Sequence, residues 1–435
     1  MTVELVGLFV IIAVFVLMFL RVPIAISMAI PACIGIFYLR GSETLITFIN
    51  SVIWEQSFHY TLSTIPLFIL MGQFLYVSGI SQELFTTFQN WFGKIKGGLG
   101  FATIGSSAMF AAASGSSVAT TGTMGIIASR EMLNAGYNKK LTGGAIVAGG
   151  TLGILIPPST TFIIYGMITE QSIGKLLTAG IIPGILLTLL FMLTIAICVL
   201  VKPDMVTTHS QRDVGWKERF RSLKSNIWIF ILFIVVIGGL YFGLFTATES
   251  AGVGALGAFL ISLLRGKLTK KTFVDAFFET IKTTGFMFAI VLAAFTLNYV
   301  LTITRLPYVL TDFLFSLDLS ATMIFILIVL MYILLGAVMD TLAMMVVTIP
   351  IILPLLERLG FDLIWFGVII VLVIELALIS PPIGMNCFVL NGVAKDLKLG
   401  EIFKGALIFI APILVLITLI YIFPDIALFL PNTMQ

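Results

Sequence analysis

Two related stretches of sequence decide the fold of this chain: Gly153-Ile154-Leu155-Ile156-Pro157-Pro158-Ser159 and Ala377-Leu378-Ile379-Ser380-Pro381-Pro382-Ile383. In each, a pair of prolines interrupts a long apolar segment, and the pairs lie 381 − 157 = 224 residues apart. Leu39-Arg40-Gly41 and Leu264-Arg265-Gly266 keep almost the same spacing, 265 − 40 = 225. The chain therefore consists of two copies of one unit. In a membrane protein this predicts a secondary transporter whose site lies where interrupted helices of the two halves meet.

The composition is that of a membrane protein. Hydrophobic residues make up 59% of the 435 residues and charged residues only 10%, against roughly 25% charged in an ordinary soluble domain. The net charge of +3 comes from basic residues confined to loops, which argues against a nucleic-acid partner. We expect an all-α polytopic protein in a lipid bilayer. Its clearest apolar runs are Val3 to Leu20, Ile181 to Val201, Ile227 to Tyr241 and Ala321 to Leu335 with their extensions, and Leu407 to Phe423.

The sequence lacks the motifs of an enzyme. Cys33, Cys198 and Cys387 lie in apolar stretches without the spacing of a metal site or a disulfide. His59 and His209 have no partner for zinc binding or nucleophilic catalysis. A Walker-type Gly-Lys-Ser/Thr loop is also missing, so ATP does not drive the protein directly. A membrane-embedded enzyme or an assembly scaffold is the alternative from another class, and we expect neither an enzyme nor a bound cofactor.

Basic residues indicate which loops face the cytoplasm. They are concentrated in the polar stretch 202–225 and again in 265–271, and the positive-inside rule places both stretches in the cytoplasm. The two spans between them, at about 226–245 and 248–264, then form a helical hairpin that turns on the outside.

The first copy has the opposite predicted orientation. Its corresponding spans, about 3–20 and 23–39, are joined by Arg21, which places this turn inside. No basic cluster precedes the first span and no small-residue cleavage site follows it, so we expect a retained span. We predict two inverted repeats, 1–201 and 226–435, joined by the cytoplasmic linker 202–225. Stretches too polar to span, at about 42–58, 82–96 and 268–282, are expected to be interfacial amphipathic helices.

Each repeat also contains a segment that predicts a re-entrant helical hairpin. The segment at about 98–132 is apolar but rich in Gly, Ser and Ala, with a turn expected at Ser114 to Ser117. Tight packing of ordinary spans through small residues is the alternative. Adding 224 to Ser116 and Ser117 gives Asp340 and Thr341, which predicts a second hairpin at about 320–358. An aspartate at this depth is costly and indicates a functional site, unless it only caps a helix.

A broken helix follows each hairpin, at about 139–169 and 361–395. Prolines remove backbone donors, so carbonyls before Pro157 and Pro381 become available for a cation such as Na⁺, and the helix N-termini beyond them favour an anion. This predicts two cation sites with an anion site between them. The cation-site candidates are Ser114, Gly115, Ser116, Ser117, Thr151, Gly153, Pro157, Gly336, Asp340, Thr341, Glu375 and Pro381. The substrate-site candidates are Ser159, Thr160, Gly384, Asn386 and Arg305, although Arg305 at a helix end could instead extend to the interface.

The motifs resemble those of one transporter family. Ala-Ala-Ser-Gly-Ser-Ser (112–117), Gly-Ala-Val-Met-Asp (336–340) and Ser-Pro-Pro-Ile-Gly-Met-Asn (380–386) are similar to motifs in the large membrane subunit of tripartite ATP-independent periplasmic (TRAP) transporters, over essentially the whole chain. The resemblance implies a bacterial inner-membrane symporter of organic acids such as C4-dicarboxylates or sialic acids, with Na⁺ as the only metal. It also implies two partners, a small membrane subunit, separate or cut from a fusion, and a periplasmic substrate-binding protein.

The resemblance further implies an elevator mechanism, in which the hairpins and broken helices form a transport domain that slides past a scaffold domain. A stand-alone symporter or exchanger of divalent anions with the same two-hairpin fold is the alternative within the transport class. It would work without a binding protein.

Overall fold

The computed structural model describes residues 2–206, 214–336 and 339–434, and the described residues form helices throughout, without a strand. Three residues discussed above lie outside the described residues: His209 in the linker, and Ala337 and Val338 in the motif 336–340, where the turn of the second hairpin is expected. The helices of the first half are Val3–Phe19 (α1), Ile24–Ser57 (α2), Thr64–Val77 (α3), Ile80–Phe92 (α4), Gly98–Ser114 (α5), Ser117–Asn134 (α6), Lys139–Leu155 (α7), Thr160–Thr169 (α8), Ile173–Ala179 (α9), Ile181–Val201 (α10) and Trp216–Ser225 (α11).

The second half begins with Ile227–Phe233 (α12), which continues through a π-helical turn, Ile234–Gly238, into Gly239–Tyr241 (α13). The helices that follow are Ala247–Leu264 (α14), Lys270–Thr304 (α15), Leu306–Ser316 (α16), Ala321–Leu335 (α17), Thr341–Arg358 (α18), Leu363–Ile379 (α19), Met385–Val393 (α20), Leu399–Ile422 (α21) and Asp425–Thr433 (α22).

Seven of the described helices are long and apolar enough to cross a membrane, and up to nine spans result if each bent pair counts as one. Large apolar side chains such as Phe9 of α1, Leu189 of α10 and Leu330 of α17 are exposed, which in water would form an unfavourable surface. The prediction of an all-α polytopic membrane protein is confirmed.

The order of the helices repeats along the chain. Helices α4 to α8 begin at 80, 98, 117, 139 and 160, and α16 to α20 begin at 306, 321, 341, 363 and 385. The differences, 226, 223, 224, 224 and 225, match the spacing of the proline pairs. The opposite orientation of the two copies in the membrane stays a prediction.

The expected interfacial helices differ between the copies. Residues 42–57 follow a break within α2 at Gly41, where φ is 82° and ψ is 178°. The interfacial helix expected at about 268–282 is not a separate element, because residues 270–282 begin the continuous 35-residue helix α15. No proline interrupts α15, and a helix of this length extends about 50 Å at 1.5 Å per residue.

The packing of the two repeats is reciprocal. The second arm of the first hairpin, α6, packs on α20, which follows the break of the second repeat, and α18 packs on α8, which follows the break of the first. Helices α7 and α19, which lead into the breaks, also contact each other. Outside this group, α3 packs on α14 and α2 on α15. The hairpin tips and the helix breaks are thereby held around one centre.

Candidate functional site

The turn of the first hairpin lies where the small residues predict it. Helix α5 ends at Ser114, and Gly115 adopts a left-handed conformation with φ 59°, which glycine allows without strain. Ser116 is extended and caps α6 by accepting a hydrogen bond at Oγ from the Ala119 amide (3.3 Å). Three oxygens are concentrated here, because Ser114 Oγ lies 2.7 Å from Thr120 Oγ1, which donates to the Ser116 carbonyl (2.8 Å).

This tip lies directly against the break between α7 and α8, where the axes differ by 42°. A Cβ on Gly153 would lie 2.5 Å from the Ser116 carbonyl oxygen, so only glycine lets the backbone approach this closely. On the other side of the break, Thr160 Oγ1 donates to the Gly115 carbonyl (3.4 Å). The tip therefore contacts both halves of the broken helix.

The break leaves carbonyl oxygens without helical donors. The last regular hydrogen bond of α7 runs from the Ile156 amide to the Leu152 carbonyl (3.0 Å). Pro157 and Pro158 have no N–H, so they leave the carbonyls of Gly153 and Ile154 unpaired by the helix. Thr151 lies further inside α7, and its hydroxyl donates to the Ala148 carbonyl (2.6 Å). Together with the tip, the freed oxygens form a neutral group suited to a monovalent cation.

The second hairpin is built in a related way. Asp340 is the N-cap of α18, and its Oδ1 accepts from the Ala343 amide (2.7 Å). The capping role considered above is therefore real, but Asp340 and Thr341 also line a cavity. Gly336 lies so close to α19 that a Cβ there would overlap the side chain of Ala377. The second tip thus contacts its broken helix as the first does.

The second break frees the Leu378 carbonyl, whereas the Ala377 carbonyl accepts from the Ser380 amide (3.2 Å). Helix α19 ends at Ile379, and Pro381 and Pro382 cannot donate to the preceding turn. The Ile379 carbonyl has a weak partner, the Cys387 thiol at 3.8 Å. In both copies the bond between the two prolines is cis.

A side-chain cluster also links the two repeats. Ser117 Oγ donates to Glu375 Oε2 (3.1 Å) and accepts from Asn386 Nδ2 (2.6 Å). Ser117 starts α6, whereas Glu375 and Asn386 lie on either side of the second break. Sequence reasoning selected Glu375 for its backbone and missed this side-chain contact. The sequence does contain a signal for this side chain, because Glu375 is the only acidic residue in the apolar run Leu363–Ile379.

A cavity of about 710 Å³ lies between the tips. Its walls include residues 114–117, Thr160 and 340–342, and its opposite wall is formed by residues that the sequence did not indicate: Gln73 and Tyr76 of α3 and Thr283 and Met287 of α15. Asp340 is the only charged side chain among the described lining residues.

The other predicted substrate residues lie outside this lining. Ser159 is buried and caps α8, with its Oγ accepting from the Phe162 amide (3.4 Å). Gly384 and Asn386 are the chain neighbours of the lining residue Met385. Arg305 is exposed in the turn between α15 and α16, so the structure does not bring it together with the other candidates.

Helix N-termini determine the polarity of the cavity. The first turns of α6, α8 and α18 and the first residue of α20 all contribute lining residues. Partial positive charge at four N-termini stabilises an anionic group without a basic side chain. The arrangement can hold an anion between two groups of oxygens, one neutral and the other including the Asp340 carboxylate.

Comparisons with known proteins show what the chain is similar to. The family model described as "Tripartite ATP-independent periplasmic transporter, DctM component" matches residues 11–426. The C4-dicarboxylate TRAP transporter large permease protein DctM of Pseudomonas aeruginosa is 34% identical over 402 residues, which cover 91% of this chain and 93% of that protein. The sialic acid TRAP transporter large permease protein SiaM of Vibrio cholerae is 29% identical, with 96% of both chains covered.

A solved structure shares the fold. The YdaH transporter of Alcanivorax borkumensis aligns with a TM-score of 0.64 over 91% of this chain and 89% of that chain, at 13% sequence identity. At this identity the likeness concerns the fold alone.

Proposed function

The chain belongs to the DctM component family of tripartite ATP-independent periplasmic transporters, whose members are transporter permeases rather than enzymes, and from this premise we propose that it carries an organic acid into the bacterial cytoplasm by Na⁺ symport. The family's large permease works with a small membrane subunit and a periplasmic binding protein, as its description as tripartite implies. We propose the inner membrane as its location and no cofactor besides the coupling ion.

One observation carries the proposal: on both sides of one cavity, the turn of a hairpin lies against the break of a helix. Neutral oxygens at Ser114, Ser116 and Gly153 form one cation site, and Asp340 with the carbonyls before Pro381 forms the other. Two cations there neutralise a carboxylate that four helix N-termini also stabilise. This explains how an acid is bound in a cavity whose described lining has no Lys, Arg or His.

The packing also supports an elevator movement. The hairpins and broken helices contact one another across the repeats, whereas α3 and α15 form the opposite wall of the cavity. A substrate in the cavity therefore lies between two groups of helices, the hairpins with the broken helices on one side and α3 with α15 on the other. Sliding of the hairpins and broken helices past α3 and α15 then carries the bound acid and its cations across the bilayer together.

Reconstituted transport tests this function. Proteoliposomes that contain this chain and its small subunit should take up succinate or sialic acid only with the cognate binding protein and an inward Na⁺ gradient. Both probes are carboxylates of the kinds that the relatives are named for. Uptake that needs neither the binding protein nor Na⁺ would instead establish the stand-alone exchanger.

Asp340→Asn refines the test. Asparagine is as good an N-cap as aspartate, so the variant keeps α18 while it removes the charge. We expect normal expression and a weaker dependence of uptake on Na⁺. An unchanged Na⁺ dependence would remove Asp340 from the second cation site.

A further inference from the structure

The Ser117 cluster has buried oxygens without partners. Glu375 and Asn386 are fully buried, and Ser117 is 3% exposed. Glu375 Oε2 and Asn386 Nδ2 are both bonded to Ser117 Oγ. Glu375 Oε1 and Asn386 Oδ1, in contrast, have no hydrogen-bond partner among the described residues. Two acceptors in one small cluster are therefore left unpaired.

None of the ion pairs between described residues includes Glu375. Within 2–206, 214–336 and 339–434, they join Arg265 to Glu83, Lys282 to Glu279 and Arg358 to Asp312. A buried carboxylate without a counter-charge is strongly unfavourable. An unpaired amide oxygen beside it adds to the cost. A cation would satisfy both oxygens, whereas another donor would leave the charge.

We propose that Glu375 Oε1 and Asn386 Oδ1 bind a monovalent cation, Na⁺ in the cell, at a site separate from the two sites at the tips. The ligands are side chains, unlike the backbone carbonyls of the tip sites. This inference rests on the proposed Na⁺ symport and adds a further ion to it.

The position of the cluster indicates that this ion connects the second broken helix with the first hairpin. Glu375 lies before the second break, Asn386 lies after it, and Ser117 belongs to the first hairpin. A bound cation fixes the two halves of the second broken helix relative to each other. Through its hydrogen bonds, Ser117 then fixes the turn of the first hairpin relative to that helix. Occupancy here therefore makes the two tip sites form together, which predicts cooperative Na⁺ binding.

Equilibrium binding of radioactive Na⁺ to the purified complex tests the proposal, with choline chloride keeping the ionic strength constant. Glu375→Gln retains an acceptor for the Ser117 hydroxyl but removes the charge. We expect it to bind one Na⁺ fewer per chain than the wild type, with lower cooperativity. Glu357→Gln, at an exposed acid on α18, is the matched control and should bind as the wild type does.

Other results would overturn the inference. Unchanged Na⁺ stoichiometry in Glu375→Gln excludes the site, and a simultaneous loss of the pH dependence of uptake would identify Glu375 as a protonated acid instead. Absence of Na⁺ binding to the wild type would overturn the symport proposal itself. If Glu375→Gln does not fold, Asn386→Ala tests the same stoichiometry, and infrared detection of a Na⁺-dependent carboxylate band in wild-type protein labelled at glutamate tests it without any variant.

Discussion

Gly153 and Ala377 occupy equivalent places in the two copies, 377 − 153 = 224 residues apart. In the first copy the glycine is on the broken helix, where it admits the Ser116 carbonyl. In the second copy the broken helix carries Ala377, and the glycine is on the hairpin, at Gly336. Each contact between a hairpin turn and its broken helix thus requires a glycine. In the first repeat the glycine lies on the broken helix, and in the second repeat it lies on the hairpin.

Gly153→Ala should therefore damage the proposed first cation site. Its Cβ would lie 2.5 Å from the Ser116 carbonyl oxygen and 2.8 Å from Thr120 Oγ1, so the tip must move away. Overpacking costs about 1–3 kcal/mol, and we expect the Na⁺ concentration for half-maximal uptake to rise by about tenfold, since tenfold corresponds to about 1.4 kcal/mol. Titration of uptake against Na⁺ measures it.

The control is Gly252→Ala in α14, where an added Cβ meets nothing within 4 Å. It should leave the Na⁺ titration unchanged. Equal effects of the two alanines would mean that the close approach at Gly153 does not shape the site.

At the scale of whole helices, α7 and α21 cross at two glycines that let their backbones approach closely. Gly144 and Gly405 face each other, and a Cβ on Gly144 would lie 2.5 Å from the Gly405 carbonyl oxygen. Small residues allow such contact between helices in a membrane, where packing rather than water exclusion drives association. Because α7 leads into the first break, this crossing also positions the proposed first cation site.

Gly405→Ala should destabilise the protein markedly, because its Cβ would overlap the Lys140 carbonyl oxygen, which is backbone and cannot rotate away. We expect a loss of about 1–3 kcal/mol, measured as a lower melting temperature of the detergent-purified complex. Gly400→Ala, on the same helix but with nothing within 4 Å, should melt at the wild-type temperature. Indistinguishable melting of the two variants would contradict the tight crossing.

For the whole molecule, the contacts of α3 indicate which end of the protein the cavity is nearer to. Thr64, at the start of α3, is hydrogen-bonded to Thr248 (2.7 Å) in the turn predicted outside. The Phe74 carbonyl, near the other end, accepts from Ser262 (2.6 Å), close to the basic end of α14. The lining residues Gln73 and Tyr76 are at this second end. The cavity is therefore nearer to the side that the positive-inside rule assigns to the cytoplasm.

Thiol labelling tests this orientation. Thr123→Cys in the cavity should react with a membrane-impermeant maleimide in inside-out vesicles and poorly in right-side-out cells. His59→Cys, beside a second cavity of about 740 Å³ near the turn at Thr246, should show the reverse preference. Cys33 and Cys198 are first replaced by alanine, while Cys387 is buried and can stay. Equal labelling of Thr123→Cys from both sides would contradict the assigned orientation.

The sequence by itself determined the membrane class, the duplication, the places of the helix breaks and the hairpin turn at Ser114 to Ser117. Hydrophobic length, proline pairs and clusters of small residues are local properties, and their physical consequences do not depend on distant partners. The same local reasoning failed at α15, because nothing in a short window distinguishes an amphipathic helix from the first turns of a long one.

Only the tertiary structure decided which residues meet. It placed Gln73, Tyr76 and Thr283 opposite the tips, left Arg305 away from the cavity, and joined Ser117 to Glu375 and Asn386 across 258 and 269 residues of chain. Such contacts follow from how α6 packs on α20 and α18 on α8. The physical reason is that long-range packing depends on the fit of whole helix surfaces, which no single stretch of sequence contains.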